Sequence, residues 1–443
     1  MDLNKIGIIF LTLLSHFLVI SSAPACRIYI TVTPLAWNPE GRFLEVNWGG
    51  GCQEKMWIGV FKKDPSLNSE QPIYYLETHD RTSGYEMTGI PLGQLDLPGN
   101  WHDPMKDKNN FQTQCLPYFV AGYIGNDLVT LDCLKIQPQW QTQMRDHIGN
   151  ISLKNLFIPG THCSACYVNE TKSMTQLLRR FVFTQDFDVW TQLVFGVRYL
   201  DVSIGYHSSK VLEQKFWIVA DNIMVSPLHK LLQDVRHFVQ ITKEVVILDF
   251  GDFPLGFSRH TERHDELRSY LERELGDIAF PRQNDSKESF EFTLSEIQST
   301  ERTLLVTYGN PECAKSSNIL WTSWEKHTSA QLPEYDVYDY FRRLFTSKSG
   351  SDLAGWVFYG VMSIEGTVGG SQKVLSSRER AASINRNLTT WFNSWASFRA
   401  NAVAIDFIIS SNLIDIALVA NRHKAHEQSR FINMDYYIYD DKQ

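Results

Sequence analysis

The sequence predicts two folds in series: a small all-β sandwich, then an α/β domain that closes as a TIM-type β/α barrel. Three observations carry this. The chain has 443 residues, more than the roughly 100–150 of a common single domain. Its first third holds short alternating segments between turn residues, the pattern of antiparallel strands. From about Asn150 onward, apolar strands alternate with longer amphipathic stretches, as they do in a β/α barrel. The expected order is a signal peptide over 1–25, a β-sandwich over 26–135, a linker over 136–149, the barrel over 150–425 and a C-terminal tail over 426–443. Hydrophobic residues make up 43% of the chain and aromatic residues 13%, enough to fill both cores.

Met1 to Ala25 has the three parts of a secretory signal. Lys5, partly offset by Asp2, charges the start. Ile6 to Ile20 is mostly apolar, with Ser15 and His16 inside it, and Ala23-Pro24-Ala25 offers small residues for cleavage. The apolar run is short for a spanning helix, and no later segment is long and apolar enough to be one. Asn-x-Ser/Thr acceptors at Asn150, Asn169, Asn284 and Asn387 agree with export to an extracellular, secreted location. Of seven cysteines, Cys26, Cys52, Cys115 and Cys133 suggest two disulfides whose pairing the spacing leaves open. Cys163, Cys166 and Cys313 are odd in number, so at least one is free or pairs outside the chain. Cys163-x-x-Cys166 has the spacing of a redox motif or half a zinc site, but no thioredoxin-like context or second ligand pair accompanies it. A formal net charge of -8 argues against nucleic acid and against general attraction to an anionic membrane. The oligomeric state is not legible.

In the first module, Arg27–Thr33, Phe43–Trp48, Met56–Phe61, Ile73–Leu76 and Tyr118–Ile124 alternate as strands. Gly49-Gly50-Gly51, Asp64-Pro65 and Pro98-Gly99-Asn100 mark turns, and Asp103–Asn110 reads as a long polar loop. No catalytic constellation stands out there, so a packing or partner-binding module is expected. In the barrel the candidate strands are Leu153–Ile158, Val197–Ile204, Phe216–Val219, Val245–Phe250, Leu304–Tyr308, Trp356–Met362 and Val403–Ile409. Ser226 is a natural N-cap and Pro227 suits a first helical position. Leu228, Leu231, Leu232, Val235, Phe238 and Val239 then recur on one helical face.

The stretch that organises the barrel is Leu156-Phe157-Ile158-Pro159-Gly160-Thr161-His162-Cys163-Ser164-Ala165-Cys166. A short apolar strand breaks at Pro-Gly and presents a histidine, whose imidazole titrates near neutral pH and suits acid–base work. Ile158–Ser164 resembles the first catalytic-histidine motif of the phosphatidylinositol-specific phospholipase C (PI-PLC) X domain, in the secreted, insect-like branch of X-domain-containing proteins. The family pattern is apolar-Pro-Gly-Thr/Ser-His-Asp-Ser. The resemblance continues in order to about Asn421, and Pro227–Phe250 matches the helix and strand that follow the family's second histidine. It implies a distorted TIM-type barrel of the PI-PLC type, a phosphoric diester hydrolase acting on inositol phospholipid or its glycan-linked form, and no cofactor.

The resemblance also shows what is missing. His162 matches the base and Asp201 the family carboxylate. Asp406, in Val403-Ala404-Ile405-Asp406-Phe407, stands where bacterial relatives support the first histidine. Ser203 occupies the place of the phosphate-binding arginine, and Cys163 that of the carboxylate after the histidine. Arg198 points to the opposite face of its strand, where a structural role is expected. The second histidine falls on Ala220 or Asp221; Asp221 would serve as acid only if burial or another carboxylate raised its pKa. His207 and His229 are not obvious substitutes. A calcium route would draw on Asp201, Asp221 and Asp249 as oxygen ligands, but no metal site is expected. Catalysis is therefore expected to be weak or lost, with a pseudoenzyme that binds a lipid head group, glycan or protein as the alternative. A carbohydrate-active barrel using two of Asp201, Asp221, Asp249 and Asp406 is a third reading.

Overall fold

The computed structural model describes residues 25–35, 42–98, 111–167, 175–282, 287–348, 354–368 and 371–440. The first 24 residues of the expected signal, the 103–110 loop and the acceptors Asn169 and Asn284 lie outside the described residues. Asn150 and Asn387 are exposed.

The N-terminal part packs two antiparallel sheets face to face. One has the order β1 (Arg27–Val32), β2 (Phe43–Gly49), β5 (Gly84–Pro91). The other has the order β4 (Tyr74–Glu77), β3 (Trp57–Phe61), β6 (Gln114–Ile124), β7 (Asp127–Ile136). Ile28, Ile30, Val32, Leu44, Val46, Ile58, Val60 and Val120 fill the space between them, as alternation along each strand requires. The sequence reading omits β5 and β7, whose polar and glycine-bearing runs (GYEMTGIP and DLVTLDCLKI) weaken the apolar signal. Cys26 pairs with Cys52 and Cys115 with Cys133, so the first four cysteines form two disulfides.

The barrel is built on β8 (Ile158–Thr161), β9 (Tyr199–Tyr206), β12 (Val246–Leu255), β13 (Leu304–Tyr308), β14 (Leu320–Thr322), β15 (Glu325–Thr328), β16 (Trp356–Gly360) and β19 (Ala402–Ile405). Every ladder along the path β14-β13-β12-β9-β8-β19-β16-β15 is parallel. Only Ser323 and Trp324 separate β14 from β15. Two residues cannot make the crossover that a separate parallel strand needs. Leu320–Thr328 is therefore one extended run whose first half pairs with β13 and whose second half pairs with β16, and it closes the ring. This handover is the distortion in the barrel. β10 (Phe216–Ala220) and β11 (Ile223–Pro227) form an antiparallel hairpin that hangs on β9 outside the ring. β17 (Glu365–Val368) and β18 (Ser371–Val374) make a second hairpin.

Several boundaries differ from the sequence reading: β12 runs on to Leu255, β9 spans Tyr199–Tyr206 and β16 stops at Gly360. Leu153–Asn155 is a 3-10 turn and the strand starts at Ile158. Two asparagine side chains satisfy the backbone before it: Asn421 Nδ2 donates to the Phe157 carbonyl at 2.9 Å, and Asn401 Nδ2 to the Leu153 and Leu156 carbonyls at 2.7 and 3.0 Å. An apolar run so capped needs no ladder. β19 stops at Ile405 because Phe407 turns left-handed at φ 48°. Ser226 belongs to β11 and is not a cap; Pro227 itself holds the cap position of the helix Leu228–Thr242. The expected face of that helix, Leu228 to Val239, is buried.

The stretch between the modules is packed into the barrel. Trp140 is buried and donates to the Gly196 carbonyl at 3.0 Å. Glu244 accepts from the Gln141 and Thr142 amides at 3.0 and 2.8 Å and pairs with Arg198 at 2.8 Å. Arg198 also donates to the Leu193, Val197 and Pro138 carbonyls at 2.9, 2.7 and 2.7 Å. Its donors are spent on joining the junction to the barrel wall. Arg198→Ala would leave the Glu244 carboxylate buried without its cation and should cost about 3–5 kcal/mol of stability. Urea denaturation checks this, and a loss under about 1 kcal/mol, the scale of an exposed pair, would refute it.

Candidate active site

The ladder register brings the site together. Thr161 on β8 is paired with Ile405 on β19 and with Leu200 on β9, and Asp201 is paired with Asp249 on β12. His162 and Asp406 directly follow the last residues of β8 and β19, level with Asp201 and Asp249, which lie in β9 and β12 where those longer strands run on past the end of β8, on the side of the ring where barrels carry their chemistry. Gly160 permits the close approach of β8 to β9: a Cβ there would lie 2.9 Å from the Tyr199 Cβ.

His162 Nδ1 is 2.7 Å from Asp406 Oδ1. The carboxylate accepts the Nδ1 proton and leaves Nε2 as the free nitrogen of the neutral ring. One third of the His162 side chain is exposed, and it lines a cavity of about 580 Å³ with Asp201, Ser203, Asp221, Asp252, Arg380 and Asp406 among its walls. Burial alone would lower the imidazole pKa; the Asp406 charge and hydrogen bond, with help from Asp201, outweigh it and raise the value above 6.5, against the opposing charge of Arg380.

Asp201 is buried and anchors the loop after His162. Its Oδ2 accepts the Cys163 amide at 3.0 Å, and its Oδ1 accepts the Tyr359 hydroxyl at 2.9 Å. Asp249 accepts from Tyr199, Thr307 and Ser323 at 2.8, 2.6 and 2.7 Å. Lys326, from β15, sets its ammonium 3.2 Å from Asp249, 3.3 Å from Asp252 and 3.7 Å from Asp201. Burial works against that charge, but the three carboxylates override it and hold the lysine protonated. Asp249 in turn lies below the usual carboxylate range: burial pushes it up, and Lys326 and the three hydroxyls push it further down.

The other expected residues separate. Asp221 is exposed, at φ 52°, on the β10–β11 turn. It reaches the rim of the cavity but lacks the burial its acid role requires. The strand expected to end in it is one arm of an antiparallel hairpin, not a ring strand. Ser203 and Ala220 line the cavity. His207 and His229 do not, and among the described lining residues His162 is the only imidazole. Of the four candidates for a carbohydrate-type carboxylate pair, Asp249 does not line the cavity and Asp406 is committed to His162; Asp201 and Asp221 both line it, Asp201 bound to the Cys163 amide and the Tyr359 hydroxyl. Among the described residues, no cluster of three or more histidine, cysteine or acidic side chains could hold a metal ion.

Two cations escape the sequence reading. Arg380 enters the cavity wall from the first turn of the helix Ser377–Phe392, donating to the Met362 carbonyl and the Ser377 hydroxyl at 3.2 Å each. The capping box of Ser376 and Glu379 marks that helix start in the sequence. Lys326 sits in Glu325-Lys326-His327-Thr328, which carries no apolar alternation to betray a strand.

The structure is thus a β/α barrel with an imidazole–carboxylate pair where β8 and β19 end. No family model matches the chain. Curated relatives do: the chain is 25% identical over 218 residues to PI-PLC X domain-containing protein 1 of Homo sapiens, covering 44% of this chain and 64% of that protein. It is 27% identical over 207 residues to PI-PLC X domain-containing protein 1 of Mus musculus, covering 42% and 57%. It is 29% identical over 224 residues to a PI-PLC X-box domain-containing protein of Dictyostelium discoideum, covering 44% and 29%. The chain thus spans less than two thirds of each of these relatives. Among solved structures, a phosphatidylinositol-specific phospholipase C of Staphylococcus aureus aligns with 62% of this chain and 96% of its own, at TM-score 0.46 and 16% identity. The homologues of this chain are PI-PLC X domain-containing proteins, as the motif at Ile158–Ser164 leads one to expect.

Two outcomes follow from the electrostatics. His162 should titrate above the ordinary histidine value, and Asp406→Asn should lower its midpoint, read by NMR of the imidazole. The raised pKa stabilises the fold fully below about pH 6.5 and that contribution is lost as pH rises through the folded value; Asp406→Asn should therefore destabilise most at acidic pH. Lys326→Met removes the cation from three carboxylates and should cost about 3–5 kcal/mol. The Asp249 contribution is present above its ordinary pKa and vanishes as pH falls through the depressed one, so the Lys326→Met deficit should be larger at about pH 8 than at about pH 3. Thermal melts at the two pH values check the sign.

Proposed function

We propose that the cavity holds the phosphoinositol head group of a phospholipid, or of its glycan-linked form, and that cleavage of the phosphodiester there is slow. The single observation behind this is the His162–Asp406 pair at 2.7 Å in a cavity with no second imidazole among the described lining residues. Nε2 of His162 takes the proton of the attacking inositol hydroxyl, and Asp406 steadies the imidazolium that forms. Asp201 holds the loop that carries His162. Arg380, from a helix, supplies positive charge at the cavity wall where Ser203 has none to give. The leaving oxygen finds no buried acid, since Asp221 is solvated. Loss of a positioned general acid costs about 10²–10⁴ in rate, and loss of a charge-stabilising donor about 10²–10³.

A binding-only reading rests on one specific observation. The Lys326 ammonium already has three carboxylate partners, so its charge is consumed within the protein. The export reading, a secreted glycoprotein, is supported by the signal-like start and by the disulfides of the sandwich. Among the described residues no helix is long and apolar enough to cross a membrane.

An assay of purified protein on phosphatidylinositol vesicles, with and without calcium, is the test. Slow, calcium-independent turnover that disappears in His162→Ala is the expected result. Ser203→Arg combined with Asp221→His should raise it about 10²-fold or more. Binding of inositol 1-phosphate without turnover would leave the binding module; neither binding nor turnover would overturn the proposal.

A further inference from the structure

The cavity wall carries a reactive group that phosphodiester chemistry does not use. Cys163 and Cys166 are joined by a disulfide. Cys163 lines the cavity and keeps 6% exposure, whereas Cys166 has none. Of the two bridged residues, a small thiol that enters the cavity meets Cys163 and not Cys166. The bridge closes the loop directly after His162. The Cys166 carbonyl accepts the Thr184 and Gln185 amides at 2.9 and 3.2 Å. Thr184 and Gln185 side chains donate to the His162 carbonyl at 3.2 and 3.1 Å, and Gln185 also to the Ile405 carbonyl at 2.9 Å. Cys163 itself is held at φ 39°, a left-handed conformation that a residue with a Cβ adopts rarely, and in it donates its amide to Asp201.

We infer that Cys163–Cys166 is a thiol–disulfide exchange site opening on the cavity, and that its redox state sets the position of His162 against Asp201. The chemistry balances with a low-molecular-weight thiol as reductant. Its thiolate attacks the Cys163 sulfur; the S–S bond breaks, and the electron pair leaves on the Cys166 sulfur, which takes a proton from solvent. A second thiolate attacks the small-thiol sulfur of the mixed disulfide. Cys163 leaves as thiolate and is protonated, and the small disulfide departs. One protein disulfide and two thiols become two protein thiols and one small disulfide. At the halfway stage the small thiol is held covalently inside the cavity, beside His162. Once the bridge is open, Cys163 is free to leave the left-handed region, and the amide that anchors Asp201 goes with it. None of this depends on whether the cavity cleaves phosphodiesters.

The experiment treats the folded, full-length protein with glutathione, alkylates at intervals and maps each cysteine by peptide mass spectrometry. A Cys115→Ser, Cys133→Ser background removes reaction at the exposed Cys115. A glutathione adduct on Cys163 with Cys166 free, followed by both thiols free, is the expected course. The His162 titration midpoint, followed by NMR, should differ between the bridged and reduced forms, and the Cys163→Ser, Cys166→Ser variant should match the reduced form. The inference fails if the pair stays bridged until the protein unfolds. It also fails if the adduct forms on Cys166, if the two thiols are free from the outset, or if opening the bridge leaves the His162 midpoint unmoved.

Discussion

The site depends on a register, more than on any one side chain. Parallel ladders fix β8 between β19 and β9, and the pairing of Thr161 with Ile405 and Leu200 is set by backbone hydrogen bonds alone. Because side chains alternate along a strand, a slip of one residue would turn the whole set to the other face. With the register fixed, the three residues that follow the paired positions meet without any further device. Gly160 is the steric condition for this, since the Tyr199 side chain occupies the space a Cβ would need.

Charge balance is the second constraint. Asp201, Asp249 and Asp252 stand around one ammonium, that of Lys326, and Asp406 faces the imidazole it polarises. Asp201, Asp249 and Asp406 are buried, and buried carboxylates require compensation. Tyr199 and Tyr359 contribute to it. Burial first, then the neighbouring aspartates, push both phenols far above their ordinary range, so they remain hydrogen-bond donors. His162 joins the two parts of the site: it is hydrogen-bonded to the buried Asp406 and lines the cavity.

Much of this is legible in the sequence, for physical reasons. The Pro-Gly-Thr-His segment announces a strand end, and the apolar face from Leu228 to Val239 announces a helix; both rest on local patterns. His162 and Asp406 are findable because each follows an apolar run that forms a ring strand, and Asp201 because it lies inside one. Lys326 and Arg380 are not, because their places in the site depend on residues distant in sequence, Asp201, Asp249 and Asp252 for Lys326 and His162 for Arg380. The same holds for Phe216–Val219, whose apolar character fits a ring strand and a hairpin equally well; only its antiparallel partner, β11, distinguishes them. The run Leu153–Ile158 misleads for a related reason, since distant asparagines supply the hydrogen bonds that a strand would otherwise need.

The handover at Ser323–Trp324 has an evolutionary corollary. Everywhere else in the ring, loops and helices separate successive strands and can absorb insertions. Here a single run serves two neighbours, so its length is not free to drift. One residue gained or lost between Thr322 and Glu325 would invert the facing of the second half, swinging Glu325 inward in place of Lys326 and setting a fourth negative charge among the three already present. Length variation among descendants of this chain should therefore avoid this point of the barrel and gather in the surface connections.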